Sequence, residues 1–346
     1  MKLLIVTQKV DQNDQLLGFS LRWFRLLAQK FSSITILCLE RGEFDLPENI
    51  QVISLGKDKG DSKLVQLLNF YKNAWLFRKE YDAVFVFMNA IWVIVGWCPW
   101  RLLDKKVFLW YAHKTITWKH RLAEKLVNGI FTSTSEGFRM KSKKVMVVGQ
   151  GIDMDFFRPD KTKRPDHLSI LSVGRIAPIK NYEILIRSAE ILRNQGIDFH
   201  ITMIGEPVFR EDIEYERNLK SIVSEMGLDK YITFVGKIVN KELPLHYQSS
   251  HIFVNLGKTG SLDKTIVEAM ACGVNVISSN DAATKFLPKE LVVADNDPRE
   301  LAEKIKEISN KDYGIELREY AEKNHSLANL VEKISSKIQI WRSQLS

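Results

Sequence analysis

Ile170-Leu-Ser-Val-Gly-Arg-Ile-Ala-Pro-Ile-Lys-Asn-Tyr182 reads as a strand, a glycine, a short loop and the opening of a helix. Ile170, Leu171 and Val173 form a short apolar run that stops at Gly174. Pro178 and Asn181 punctuate the loop, and helical spacing follows over about 181–194. A strand that turns sharply into a helix is half of a parallel crossover unit, so the sequence on either side should repeat the alternation.

It does so in both directions. Downstream, strands are expected at Ser169–Val173, His200–Ile204, Ile232–Val235, Ile252–Asn255, Val274–Ile277 and Leu291–Val293, with helices at about 181–194, 210–226, 241–248, 263–272 and 298–309. Upstream, strands are expected at Leu3–Thr7, Ile34–Leu39, Val52–Ser54, Ala83–Met88, Val107–Ala112, Gly129–Ser133 and Lys144–Val148. Helical stretches lie between them at Leu16–Lys30, with Leu17, Leu21, Phe24, Leu27 and Ala28 on one stripe, and at Ser62–Glu80. The loop Gly149–Asp166 holds Pro159 and Pro165 and separates the two series. The expected fold is therefore α/β, with two Rossmann-like doubly wound domains at 1–160 and 161–325. The segment 326–346 forms a terminal amphipathic helix carrying Leu330, Ile334, Ile338 and Trp341 on one face. Open parallel sheets bind ligands at the carboxyl ends of their strands, so a cleft between the domains is the expected place for function.

The totals agree with two soluble domains: 346 residues, 45% apolar and 27% charged. Cys38, Cys98 and Cys272 follow no metal or redox spacing, which suits a reducing cytoplasm. The N-terminal apolar run ends at Thr7 without a small-residue cleavage site and reads as a strand. The stretch from Val84 to Trp100, broken by Asn89 and Pro99, falls short of the ~20 apolar residues a membrane span requires. Charge is uneven: residues 1–160 hold 24 Lys/Arg against 16 Asp/Glu, whereas 161–346 hold 26 of each. Trp23, Trp75, Trp92, Trp97, Trp100, Trp110 and Trp118 share the basic half. Two readings stay open, Trp as core filler with lysines solvating helix faces, or peripheral contact with an anionic membrane. No nucleic-acid recognition motif accompanies the basic clusters.

Two loops carry the chemistry. Arg175 and Lys180 frame the turn after Gly174, an arrangement suited to a diphosphate: arginine engages two oxygens, lysine adds a point charge, and helix N-terminal amides face the anion. In Asn255-Leu-Gly-Lys-Thr-Gly-Ser-Leu-Asp-Lys-Thr-Ile-Val-Glu268, a strand gives way to a turn containing Thr259, Ser261 and Leu262, and a helix opens near Leu262. The amides of 261–264, including Asp263 and Lys264, are expected to face the ligand, and Glu268 is placed to accept hydrogen bonds from both ribose hydroxyls. Gly18, ahead of the first long helix, would let a phosphate approach the backbone, with Gln8, Lys9 and Asp11 lining that loop. Asp153-Met-Asp155 matches an Asp-x-Asp metal signature, and Gly149-x-Gly151 hints at a dinucleotide loop. Neither sits in the required strand–turn–helix context, so no metal site is expected.

Val173-Gly-Arg-(x)4-Lys-Asn followed by Glu268-Ala-Met-Ala-Cys-Gly resembles the family-4, group 1 glycosyltransferases of the GT-B fold. Val148-Gly-Gln-Gly-Ile-Asp, Met203-Ile-Gly-Glu-Pro and Phe234-Val-Gly-Lys-Ile extend the likeness. The resemblance implies a retaining transfer of a hexose-type unit from a nucleoside diphosphate sugar to an acceptor hydroxyl, with no metal or cofactor. In that reading Arg175 and Lys180 bind the diphosphate, Glu268 the ribose, and Lys237 and Ile238 lie near the base. Gly174 and Gly205 are strand-end glycines, and His113 acts on the donor sugar, so His113, Arg175 and Lys180 are the catalytic candidates. The acceptor would be a saccharide or a lipid-linked one, held by the basic N-terminal domain of a cytoplasmic, membrane-associated protein. The terminal helix would cross back to that domain. One departure stands out: the first of the family's two donor-loop glutamates is Gly260 here, leaving Asp263 or Lys264 to compensate. A nucleotide-sugar-binding protein without efficient transfer is the alternative.

Overall fold

The structure, a computed structural model, describes residues 1–14, 16–294 and 297–343, the last three as backbone only. The chain divides into two units, one of residues 1–151 joined by the segment from Leu327 onward, the other of residues 152–326.

The first unit runs β1 (Lys2–Val10), α1 (Ser20–Ala28), β2 (Ser33–Arg41), β3 (Ile50–Ser54), α2 (Lys63–Leu76), β4 (Ala83–Phe87), α3 (Ile91–Leu102), β5 (Lys106–Trp110), α4 (Trp118–Leu126), β6 (Gly129–Thr132) and β7 (Val145–Val147). The second contains β8 (Leu168–Val173), α5 (Tyr182–Asn194), β9 (Phe199–Ile204), α6 (Arg210–Glu225), β10 (Ile232–Gly236), α7 (Leu243–Gln248), β11 (Ile252–Asn255), α8 (Lys264–Ala271), β12 (Asn275–Ser278), α9 (Pro298–Ile308) and α10 (Gly314–His325). Helix α11 (Leu327–Ser343) then returns to the first unit.

Both sheets are parallel, with strand orders β3-β2-β1-β4-β5-β6-β7 and β10-β9-β8-β11-β12. In each the order reverses beside the first strand, between β1 and β4 and between β8 and β11. Loops leaving the carboxyl ends of those pairs diverge and leave a crevice, where open sheets place their ligands.

Side-chain alternation in β1 explains how helices cover both faces of the first sheet. Leu3 and Ile5 pack with Trp23, Phe24 and Leu27 of α1 and with Leu330, Ile334 and Ile338 of α11. Leu4 and Val6 point the other way, into a layer with Phe70, Trp92, Trp100 and Ala123. The side chain of Trp341, expected on the apolar face of the last helix, lies outside the described residues.

Three differences from the expected elements have local causes. Helix α1 begins at Ser20 because the Asp14 carboxylate takes the amides of Leu16 and Leu17 (2.9 and 2.8 Å), closing a turn instead of a helix. The apolar run after Asn89 forms α3, despite Pro99 and its many β-branched residues. Proline removes the amide that would bond the Val95 carbonyl, and the Tyr71 hydroxyl donates to that oxygen at 3.0 Å. Gly96 makes room for the Trp100 indole, which a β-carbon there would meet at 2.3 Å. The strand expected at Leu291–Val293 shrinks to a bridge between Ser278 and Val292, because Pro288 opens a 3-10 turn over Lys289–Leu291.

Candidate nucleotide-binding site

In the second unit, three neighbouring strands end in glycine: Gly174 after β8, Gly205 after β9 and Gly236 at the end of β10. The Gly174 amide bonds the Ile204 carbonyl and the Gly205 amide bonds that of Gly236, both at 2.9 Å. A β-carbon on Gly205, whose φ is 146°, would lie 1.9 Å from the Gly174 carbonyl oxygen. Glycine is therefore forced at 205 by close backbone passage, and the three glycines leave the ends of β8, β9 and β10, at the carboxyl edge of the sheet, without side chains.

The two predicted cations leave that edge. The Arg175 guanidinium lies 4.9 Å over the Phe209 ring, and its Nε is 3.6 Å from the Asp212 carboxylate. Asp212 is buried in the first turn of α6 and also accepts the amides of Val208 (3.3 Å) and Phe209 (3.1 Å), so Arg175 hangs from a fixed anchor. Lys180 closes a 3-10 turn over Pro178–Lys180 and places Nζ 2.6 Å from Asp263 Oδ2.

Asp263 is the N-cap residue of α8, yet its side chain does not cap that helix. It turns to Lys180, to Asn255 Nδ2 (3.0 Å) and to the Thr259 hydroxyl (2.9 Å). The Asp263 carboxylate thus does not occupy the N-terminus of α8, where the helix dipole favours an anion. Asn280, fully buried just past β12, donates to the carbonyls of Gly257 (3.1 Å) and Ser261 (3.0 Å) and accepts the amides of Ala282 and Ala283. It pins the loop that holds Thr259, Ser261 and Leu262; Ser261 and Leu262 are buried.

Glu268 is not the solvated residue its helical position would suggest. It is 2% exposed, accepts the Tyr247 hydroxyl at 3.0 Å and lies 3.3 Å from Lys264. Burial, and then the charge of Glu268, push the Tyr247 phenol well above its ordinary value, so it remains a donor to that carboxylate. Lys237 follows Gly236 with Nζ 3.8 Å from Glu206, and Ile238 packs against the core. Gly260 has φ 68°, a backbone that a glutamate would adopt only with strain.

The remaining candidates belong to the first unit. His113 follows β5, and its Nδ1 accepts the Thr115 amide at 3.1 Å. Partial burial, helped by Lys114, holds its imidazole below the ordinary value and therefore neutral at neutral pH. His120, which sequence reasoning passed over, is buried against Tyr111 with ring centroids 4.1 Å apart and accepts the Thr117 amide. Gly18 is required by its own loop, since a β-carbon would lie 2.4 Å from the Asp14 carbonyl. Lys9 is held by Asp14 (3.0 Å) and Asp11 (3.3 Å). Asp153 caps its own turn by accepting the amides of Asp155 and Phe156, which gives it a structural role.

The structure brings Gly174, Arg175, Lys180, Gly205, Lys237, Ile238 and the 259–268 segment to the carboxyl end of one sheet; Gly174, Arg175, Lys180 and the 259–268 segment flank its reversal between β8 and β11, whereas Gly205 follows β9 and Lys237 and Ile238 follow the edge strand β10. Reasoning from sequence missed Asp212, Tyr247 as the partner of Glu268, and Asn280. Only Asn280 left a visible signal, as part of the polar run Ser278-Ser-Asn280 that closes an apolar strand.

Known proteins resemble the chain in both sequence and fold. The family model described as glycosyl transferases group 1 matches residues 153–327, about half of the chain. The D-inositol 3-phosphate glycosyltransferase of Paenarthrobacter aurescens is 28% identical over 147 residues, covering 40% of this chain and 35% of that protein. The mannosylfructose-phosphate synthase of Agrobacterium fabrum is 26% identical over 153 residues, covering 41% and 34%. The chain thus matches about a third of the length of these curated relatives. In fold, the HepE protein of Anabaena, solved with UDP and glucose, superposes with TM-score 0.78 at 15% identity, covering 98% of this chain and 99% of that one. A glycosyltransferase of Rickettsia africae gives 0.74 at 18%, with 98% and 99% covered. With its family match spanning half the sequence and its doubly wound sheets shared with these neighbours, the chain belongs to the group 1 glycosyl transferases.

Proposed function

We propose that this protein transfers a hexose-type unit from a nucleoside diphosphate sugar to an acceptor hydroxyl, with retention at the anomeric carbon. The observation that carries the reading is the row of glycine strand ends in the second sheet, flanked by Arg175, Lys180 and the N-terminus of α8. As the bond to the sugar breaks, charge accumulates on the departing diphosphate. Two side-chain cations and helix amides stabilise that charge more in the transition state than before it, in the role a divalent metal can fill elsewhere. Glu268, paired with Lys264 and accepting the Tyr247 hydroxyl, holds the ribose, and the neutral His113 orients the donor sugar or relays a proton. In this reading residues 161–325 bind the donor and residues 1–160 the acceptor, a saccharide or a lipid-linked one, with peripheral membrane contact. The UDP in HepE makes uridine diphosphate sugars the first donors to try.

The test is calorimetric titration with nucleoside diphosphates. Arg175→Ala and Lys180→Ala should each weaken binding about tenfold or more, since a hydrogen bond to a charged group contributes about 1.5–3 kcal/mol. Glu268→Ala should weaken it for the bare nucleotide as well. Unchanged affinity in the first two variants sinks the site. A second reading, a nucleotide-sugar-binding protein without efficient transfer, is favoured by Gly260 and by the engagement of Asp263 with Lys180, which together leave the sugar hydroxyls without the usual carboxylate. Donor turnover with any acceptor rules it out.

A further inference from the structure

The tryptophans of the first unit whose side chains are described divide into two groups. Trp23, Trp92, Trp100 and Trp110 are buried, whereas Trp75, Trp97 and Trp118 stay in solvent. Trp75 and Trp97 lie on α2 and α3, which pack together through Phe70 against Trp92 (ring centroids 4.8 Å) and Trp100 (5.7 Å).

Helix α2 has two apolar faces. At about 100° per residue, Phe70 and Ala74 fall on one side, and they are the residues it buries. Leu64, Leu68, Tyr71 and Trp75 fall along the other side, and all are exposed, Leu64 at 66% and Trp75 at 55%. Leu76, at 62%, widens this outer stripe. Neither α2 nor α3 contains an acidic residue. Lys72 borders the stripe, Lys63 and Lys79 stand at the two ends of the helix, and Arg78 lies 4.7 Å over the Trp75 ring.

Beside it, where β5, β6 and β7 begin, lies a cavity of about 600 Å³ with Trp97 on its wall. Seven of its fourteen lining residues are Lys or Arg and one is acidic, Asp104, which is paired with Lys106 at 2.9 Å. Arg101, Lys125, Lys143 and Lys337 have no carboxylate partner among the described residues. Like charges gathered round one hollow repel, and a bound anion removes that repulsion. Tyr81 ties the hollow to the helix: its hydroxyl donates to the Ala74 carbonyl in the last turn of α2, and its own carbonyl accepts from Lys105.

We propose that this face docks on a membrane containing anionic phospholipid. The stripe of α2 and Trp97 enter the interface, and the cationic hollow takes a lipid phosphate. Apolar insertion and a basic patch are the two signals that stable peripheral attachment needs. A second copy of the chain is a poor occupant, because the lysines around the stripe would face their own copies. The inference deepens the membrane contact proposed above and is independent of the donor chemistry.

The test is co-sedimentation of the full chain with vesicles of phosphatidylcholine alone or with about 30% phosphatidylglycerol, at about 0.1 and 0.5 M salt. Binding should be about tenfold greater on the anionic vesicles and should fall with salt. Leu68→Ser with Trp75→Ser, and separately Lys125→Glu with Lys143→Glu, should each lower it about tenfold. Affinity for uridine diphosphate, read in parallel, should stay at the wild-type value, which reports intact folding and separates failure of this inference from failure of the donor site. Three results overturn the inference: equal binding to both vesicle types, uptake of inorganic phosphate by the hollow without vesicle binding, or a dimer that Trp75→Ser dissociates.

Discussion

Lys180 cannot meet a diphosphate as a free cation, because Asp263 already lies 2.6 Å from its ammonium. The carboxylate fixes the lysine in place and also repels the same ligand. Asp263→Asn keeps the shape of the loop and a partner for Thr259 and Asn255 while removing the negative charge. It should tighten nucleoside diphosphate binding several-fold, equivalent to about 1 kcal/mol, in a calorimetric titration. Weaker binding would mean that the ion pair is needed to position Lys180 and would sink the idea. The positions of single residues were legible in the sequence where a local turn sets them: Gly174, Gly205 and Arg175 stand at strand ends, and Lys180 closes the turn before α5. Their partners were not. Asp212 lies 37 positions beyond Arg175 and Asp263 lies 83 beyond Lys180, and no periodicity links residues joined only by the fold.

The elements were read best where length and pattern agree. Short β-branched runs bounded by polar residues became strands in the first unit and for the first five strands of the second. Helix α3 was hidden because its pattern is apolar nearly all round, which periodicity cannot tell from a buried strand. Its stability rests on two repairs that lie outside the pattern, the hydroxyl of Tyr71 and the missing side chain of Gly96. Tyr71→Phe strips the Val95 carbonyl of its donor and should cost about 1 kcal/mol in a denaturant melt. No loss would show that water satisfies that carbonyl as well as the phenol does. The donor-loop helix α8 followed its expected bounds, but its N-cap residue serves Lys180 instead of the helix, a choice no capping rule anticipates.

At the scale of the whole molecule, four histidines act in one direction. Burial holds His113, His120, His246 and His251 below their ordinary value of 6.5. The unfolded chain therefore binds more protons as the medium is acidified, and stability should fall as pH drops from about 6.5 through the lower folded values. Glu332, Asp312 and Glu307 are held below the usual carboxylate range by hydrogen bonds from Lys30, Lys161 and Lys311, and they add a second loss of the same sign at lower pH. Melting temperatures recorded between about pH 8 and pH 5 should decline on the acid side; a flat profile would contradict the burial of these imidazoles.

Helix α11 seats Leu330, Ile334 and Ile338 against Leu3 and Ile5, while the intervening unit is closed at its base by the Ile152 amide bonding the His325 carbonyl at 2.8 Å. During synthesis the ribosome delivers everything the second sheet requires before it delivers the last piece of the first. Strands β1 to β7 therefore wait, with the part of one face that α1 leaves open still uncovered, until residue 338 has emerged.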